Sequence, residues 1–96
     1  MAMWKNIYIS KDAIIEENSH SVLIKMPDKS NYKGYYFWHS KRLLRKGKGK
    51  SLITFGFTYD FKFTLTKYTN ESYDQDDISN IKYIDAYMLE KAFQYC

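Results

Sequence analysis

From Leu52 to Lys67, apolar and polar residues alternate more cleanly than anywhere else in the chain. Ile53, Phe55, Phe57, Tyr59, Phe61, Phe63 and Leu65 share one phase; Thr54, Gly56, Thr58, Asp60, Lys62, Thr64 and Thr66 share the other. A period of two sends each set to its own face of a strand, so the run predicts half-buried antiparallel structure. It is either one long bent strand or a hairpin turning near Tyr59 and Asp60. No Asn-Gly or Asp-Gly pair marks such a turn.

The same reading assigns the rest of the chain. Residues 5–9 alternate and are rich in β-formers, which predicts a short strand. Ser10 then caps one or two helical turns in "KDAIIEEN". "HSVLIKMP" is a strand ended by Pro27, with Val22, Ile24 and Met26 on one face. "DKSN" is a polar loop and "YKGYYFWH" a third strand. Ser40 opens a short helix, "KRLLRK", which Gly47 closes from the C′ position, and "GKGK" is a flexible cationic linker. After the acidic loop "TNESYDQDD", "NIKYI" is a last short strand. Asp85 caps "AYMLEKAFQY", where Met88, Leu89, Ala92 and Phe93 follow helical spacing. The sum is one small α+β domain over residues 1–96, with an antiparallel sheet of about five strands and two or three short helices. Its order suits a winged-helix-like arrangement or a plain curled sheet. No internal repeat, heptad or low-complexity tract is visible.

Composition changes this picture in one respect. Ninety-six residues make a single domain with an economical core, yet the chain holds ten Tyr, six Phe and two Trp. Ten tyrosines suggest a half-wet, ring-rich surface, although a low-GC coding bias gives the same excess. The net charge is only +4, but residues 32–50 carry seven Lys or Arg and no acid, while Glu71, Asp74, Asp76 and Asp77 cluster elsewhere. One pole attracts phosphate and the other repels it. The lone Cys96 excludes an internal disulfide and fits a reducing compartment. "MAMWKNIYIS" has no apolar run suited to a signal peptide or a membrane span. The expected location is cytoplasmic, away from membranes.

The search for catalytic chemistry is nearly empty. No phosphate loop, dinucleotide fingerprint or metal-ligand spacing occurs, so no metal or cofactor is expected. His20 and His39 are the two imidazoles, each read as a surface or strand-edge side chain. The acids of 71–77 lack calcium-loop spacing. The positive signal is "YKGYYFWHSKRLLRKGKGK", where five rings and seven cations interleave. Cations bind phosphates by releasing counterions. Rings add most on single strands, whose base faces are open. In the expected strand, Tyr32, Gly34, Tyr36 and Trp38 share one phase and Lys33, Tyr35, Phe37 and His39 the other, so about half the rings are packing residues. Lys33 and His39 mark the second phase as wetter and make Tyr35 the exposed candidate; Phe37 on that phase keeps Tyr36 and Trp38 in play. Lys33, Lys41, Arg42, Arg45, Lys46, Lys48 and Lys50 are expected to hold phosphates. Tyr35, Tyr36, Trp38 and Tyr59 or Tyr68 are expected to stack bases, with His39 and Lys62 beside them and Gly34 admitting a close backbone.

The pattern "SVLIKMP…YKGYYFWHSKRLLR", the run "SLITFGFTYDFKFTLTKY" and the closing "IDAYMLEKAF" resemble small single-stranded-DNA-binding proteins encoded by staphylococcal cassette chromosome elements. The resemblance covers nearly the whole chain and rests on overall pattern. It implies a fold somewhat like a winged helix-turn-helix instead of an oligonucleotide-binding barrel. It also implies a role in replication or transfer of the mobile element; no catalysis is expected, and a helicase or polymerase of the same element is the expected protein partner. A standard winged helix has a long polar recognition helix before its hairpin, and "SKRLLRKG" is barely two turns. Two other functions compete. One is a small basic ribonuclease with His39 or Tyr35 as base and Arg42 or Arg45 stabilising the phosphorane. The other is an adaptor or inhibitor that binds a protein through its rings.

Overall fold

The computed structural model describes residues 3–46, 52–69, 73 and 75–94. Gly47, Lys48, Lys50, Glu71, Asp74 and Cys96, all named above, lie outside them. Among the described residues the chain forms eight strands and one α-helix, with no closed barrel, which is an α+β architecture. The strands are β1 (Trp4–Ser10), β2 (Ile14–Glu17), β3 (Ser21–Lys25), β4 (Tyr36–Ser40), β5 (Leu44–Lys46), β6 (Leu52–Thr58), β7 (Lys62–Tyr68) and β8 (Ile78–Asp85). Helix α1 (Ala86–Gln94) follows directly, and Asp85 Oδ1 accepts the Met88 N–H at 2.8 Å, the cap expected of it. One sheet has the order β1-β6-β5 and the other β2-β3-β4-β7-β8; every pairing is antiparallel.

The inward phase of residues 52–68 continues across a change of sheet, but only β7 is half-buried as expected: on β6 the polar phase of Thr54, Gly56 and Thr58 is buried as well. β6 pairs with β1 and β5, whereas β7 pairs with β4 and β8, so the two are not a hairpin. A tight turn at Tyr59 and Asp60, closed by Phe61 N–H to Thr58 O at 3.1 Å, passes the chain from one sheet to the next. Phe57 and Phe63 are an even number of residues apart, so both stay on the core side. Phe55, Phe57, Phe63 and Leu65 join Phe37, Ile24, Met26 and Leu89 in the core between the sheets, and Phe93 packs edge-on to Phe37 and Phe55. Helix α1 therefore covers the inner side of the larger sheet.

Both helices expected after Ser10 and Ser40 are single 3-10 turns, Lys11–Ala13 and Lys41–Leu43. Each serine does cap: Ser10 Oγ accepts the Asp12 N–H at 3.2 Å and Ser40 Oγ the Arg42 N–H at 3.3 Å. The chain then extends, because Ile14 and Leu44 pair across strands with Ile24 and Phe55 against the core. Tertiary packing overrides a weak local helix preference here. The two corners are equivalent in a larger sense. β1-turn-β2-β3 and β4-turn-β5-β6 have the same layout, so β1-β6-β5 in one sheet matches β4-β3-β2 in the other. The connectivity thus carries a pseudo-two-fold repeat, which sequence comparison along the chain does not reveal; β7, β8 and α1 lie outside it.

The phase of β4 is the opposite of the one inferred from Lys33 and His39. Tyr35, Phe37 and His39 are buried, and Tyr36 and Trp38 face outward. Lys33 belongs to the turn over residues 31–34, closed by Tyr35 N–H to Tyr32 O at 3.0 Å, and so does not report the strand's phase. Gly34 adopts φ +88° in that turn; its glycine serves the backbone and not an approaching ligand. The Tyr35 hydroxyl accepts the Asn80 amide at 2.6 Å, and Lys82 Nζ lies 5.2 Å from its ring centroid. His39 sits among Phe37, Phe55, Phe61 and Phe63, nearly parallel to Phe63 at 5.9 Å. Its Nε2–H donates to Gly56 O at 2.8 Å, tying the larger sheet to the smaller. Burial holds its pKa below the ordinary 6.5, against the opposing pull of that hydrogen bond.

Two stability predictions follow from β4 and its turn. An alanine Cβ at position 34 would meet only Lys67 Cε at 3.6 Å, so the cost of Gly34→Ala is conformational and not steric. Denaturant titration should show a loss of about 1–2 kcal/mol. For His39, the unfolded chain takes up a proton near pH 6.5 while the folded chain resists it, so stability is full above 6.5 and falls as pH drops below it. Urea unfolding across that window should show this loss, and His39→Gln, which keeps a donor without a titrating ring, should flatten it.

Candidate functional site

Facing outward from the larger sheet are two rows of side chains. Tyr36 of β4 pairs with Thr66 of β7, and Thr66 with Ile81 of β8. One step along, Trp38 lies on the same face as Thr64, which pairs with Tyr83. Successive outward residues on a strand stand about 7 Å apart, so Tyr36 and Trp38 are neighbouring rings on one ledge. Tyr36 is steadied by Tyr73 and Tyr68 at centroid distances of 5.1 and 6.0 Å. Trp38 is 43% exposed and Tyr83 76%. Leu23, the partner of Trp38 on β3, is fully buried. The face is therefore closed on the β3 side of Trp38 and open toward β7 and β8, since α1 packs on the other side.

β4 and β7 pair at one position and then splay. The splay leaves a groove of about 420 Å³ lined by Trp38, Ser40 and Leu43 on one side and Phe61, Lys62, Thr64 and Thr66 on the other, with His39 and Phe63 at its base. A flat ring can lie in such a groove against Trp38, with the threonine hydroxyls and the Lys62 ammonium at its margin. The β-branched threonines that make β7 a good strand also supply these hydroxyls.

The structure brings together part of the expected residue set. Trp38 and Lys62 share the groove, Tyr36 and Tyr68 share the adjoining ring cluster, and all four stand on the outward face. Tyr35 and His39 are core residues and are removed from the stacking set. Tyr59 belongs elsewhere: it stacks on Tyr87 at 4.4 Å and its hydroxyl donates to Glu90 Oε2 at 2.9 Å. Bonding to that hydroxyl, with the Glu90 charge behind it, raises the Lys5 pKa above its ordinary 10.5. Lys33 is exposed in its turn. Lys41 is half-buried and paired with Glu17 at 3.2 Å. Arg42 stands at the corner between the sheets, and Arg45 and Lys46 are exposed on β5 in the smaller sheet. The basic stretch thus starts beside Trp38 and leads away from its face. Tyr83, Thr64 and Thr66 share this face and are not among the residues expected from the sequence. The alternation in "NIKYID" was the available signal, because it puts Ile81 and Tyr83 on one face and Ile84 on the other.

Among the described residues no helix is long and apolar enough to cross a membrane. No protein-family model, curated protein or solved structure matches this chain.

Proposed function

We propose that this chain binds single-stranded DNA with little regard to sequence, and without catalysis, on the outward face of β4, β7 and β8. The observation that carries the reading is the ledge of Tyr36 and Trp38 beside a groove edged by Thr64, Thr66 and Lys62, facing the exposed Tyr83. Base rings stack on such a surface whatever their identity, and nearby cations hold the phosphates. Duplex DNA hides its base faces and offers the ledge only its phosphates. The resemblance drawn from the sequence supplies the setting, replication or transfer of a mobile element in company with its helicase or polymerase. The ribonuclease reading is weakened because its two candidate bases are engaged: His39 is buried and donates to Gly56 O, and Tyr35 is buried and bonded to Asn80.

Fluorescence anisotropy with single-stranded DNA, duplex DNA and RNA at two salt concentrations tests the proposal. Affinity should favour the single strand and fall as salt rises. Trp38→Ala and Tyr83→Ala should each weaken binding by roughly five- to a hundredfold, the worth of about 1–3 kcal/mol per stacked base. Tyr83 is the cleaner variant because little of it is buried, and a circular dichroism melt checks that Trp38→Ala stays folded. Equal affinity for duplex and single strand, or none for either, would overturn the reading. Salt-resistant capture of a protein in place of DNA would favour an adaptor acting through the exposed Ile81, Tyr83, Tyr87 and Met88.

A further inference from the structure

The pseudo-two-fold repeat places a second ring on the smaller sheet where Trp38 stands on the larger. β1 corresponds to β4, and their ends read Tyr8-Ile9-Ser10-Lys11 and Trp38-His39-Ser40-Lys41. Ser10 and Ser40 have nearly the same backbone, φ/ψ −73/150° and −66/134°, and make the same cap to the N–H two residues on. In both strands the residue before the serine is buried, Ile9 in one and His39 in the other. Period two then sends Tyr8 outward as it sends Trp38 outward. Tyr8 is 63% exposed.

Register gives Tyr8 a cationic partner. Tyr8 pairs with Thr54 of β6, and Thr54 with Arg45 of β5, so ring, small polar residue and guanidinium form one rung across three strands. Tyr8 and Arg45 are two strand spacings apart, about 10 Å. The Arg45 Nη1 donates to the carbonyls of Arg42 and Leu44 at 2.7 and 2.9 Å, which fixes the fork above the strand. Both bonds use Nη1, and the guanidinium has further donors on Nε and Nη2. Thr54 is buried and small, so the floor between ring and fork is shallow. A base against Tyr8 with a neighbouring phosphate at Arg45 matches this layout.

The two stations are joined by the basic stretch itself. Chain from Trp38 runs through Ser40, Lys41 and Arg42 at the corner and reaches Arg45 on the other sheet. The geometry points to a second single-strand station, built from Tyr8 and Arg45, so that one DNA strand wraps from the Trp38 groove over the Lys41–Leu43 corner onto the smaller sheet. This inference rests on the single-strand reading of the Trp38 face and extends it to the opposite side of the molecule.

The test measures affinity and occluded site size on oligothymidylates of two lengths. The shorter is at the low end of the about 4–16 nucleotides that an oligonucleotide-binding barrel covers, taken as a guide to a domain of this size, and the other is several times longer. Tyr8→Ala and Arg45→Ala should each weaken the long strand by about fivefold or more and shorten the occluded site, while Tyr8→Phe keeps both. The residual binding of the short strand to Trp38→Ala should disappear when Tyr8→Ala is added. If Trp38→Ala weakens the long strand while Tyr8→Ala and Arg45→Ala change neither affinity nor site size, the second station is refuted and the first stands. If none of the three matters, both fall together. Tyr8 is exposed, so Tyr8→Ala is expected to melt as the parent does, with Tyr8→Phe as its control; Arg45→Ala also removes two bonds to backbone carbonyls, and a melt that shifts is answered by Arg45→Gln, which keeps a donor without the charge.

Discussion

Phe37 and His39 cannot both reach the core unless Tyr36 and Trp38 turn away from it, and much of the molecule follows from that constraint. Phe37 contacts Phe55 of the smaller sheet, Phe63 of β7 and Phe93 of α1, at centroid distances of 5.5 to 6.4 Å. Edge-to-face pairs of this kind add roughly 0.5–1.5 kcal/mol each beyond the area they bury. His39 adds the bond to Gly56 O. A one-residue slip of β4 would bury Tyr36 and Trp38 and expose Phe37 and His39, losing all of these contacts together. The outward rings are therefore held in place by the inward ones, and the candidate face follows from a packing requirement.

The same inward phase continues on β7, which parts from β4 after one pair. β7 has to keep Phe63 and Leu65 in the core while the preceding turn brings the chain over from β6. Beneath the splay, Phe63 and the His39 ring stay in contact on the inner face, stacked at 5.9 Å. The groove beside Trp38 opens above that inner contact. Its base consists of buried rings and its margin of hydroxyls and an ammonium. This combination suits a ligand with a flat face and a charged backbone.

Where the sequence was legible, one period governed a long run. Residues 52–68 show alternation that survives a turn and a change of sheet, because the turn preserves phase. Asp85 announced α1 because a cap, an amphipathic stripe and a boundary coincide there. Short segments misled where local and tertiary preferences disagree: "KDAI" and "KRLL" have capped starts, yet strand pairing leaves them a single turn each. Lys33 and His39 misled for another reason. A lysine reports a wet strand face only if it lies in the strand, and a histidine can be buried when its donor finds a carbonyl. The pseudo-two-fold is not legible in the sequence because the two halves share little beyond the Ser-Lys corner, while the matching pairs, Ile14–Ile24 and Leu44–Phe55, are linked only through register.

The halves of the repeat differ at the positions that decide what each face can hold. Opposite Trp38 on β3 stands Leu23, and beyond it Glu16 of β2; opposite Tyr8 on β6 stands Thr54, and beyond it Arg45 of β5. A carboxylate on the β2 side repels phosphate and a guanidinium on the β5 side attracts it. On the larger sheet the missing cation is supplied from the other flank, by Lys62 of β7, a strand that the repeat does not contain. Lys41 at the corner is paired with Glu17, while Arg42 beside it is exposed and leads toward Arg45. A polyanion following the accessible cations would thus pass on the β7 side of Trp38, avoid the acidic β2 edge, and turn the corner toward Tyr8. The two faces are related by connectivity and made different by charge, and that difference would give a bound polyanion a preferred direction across the molecule.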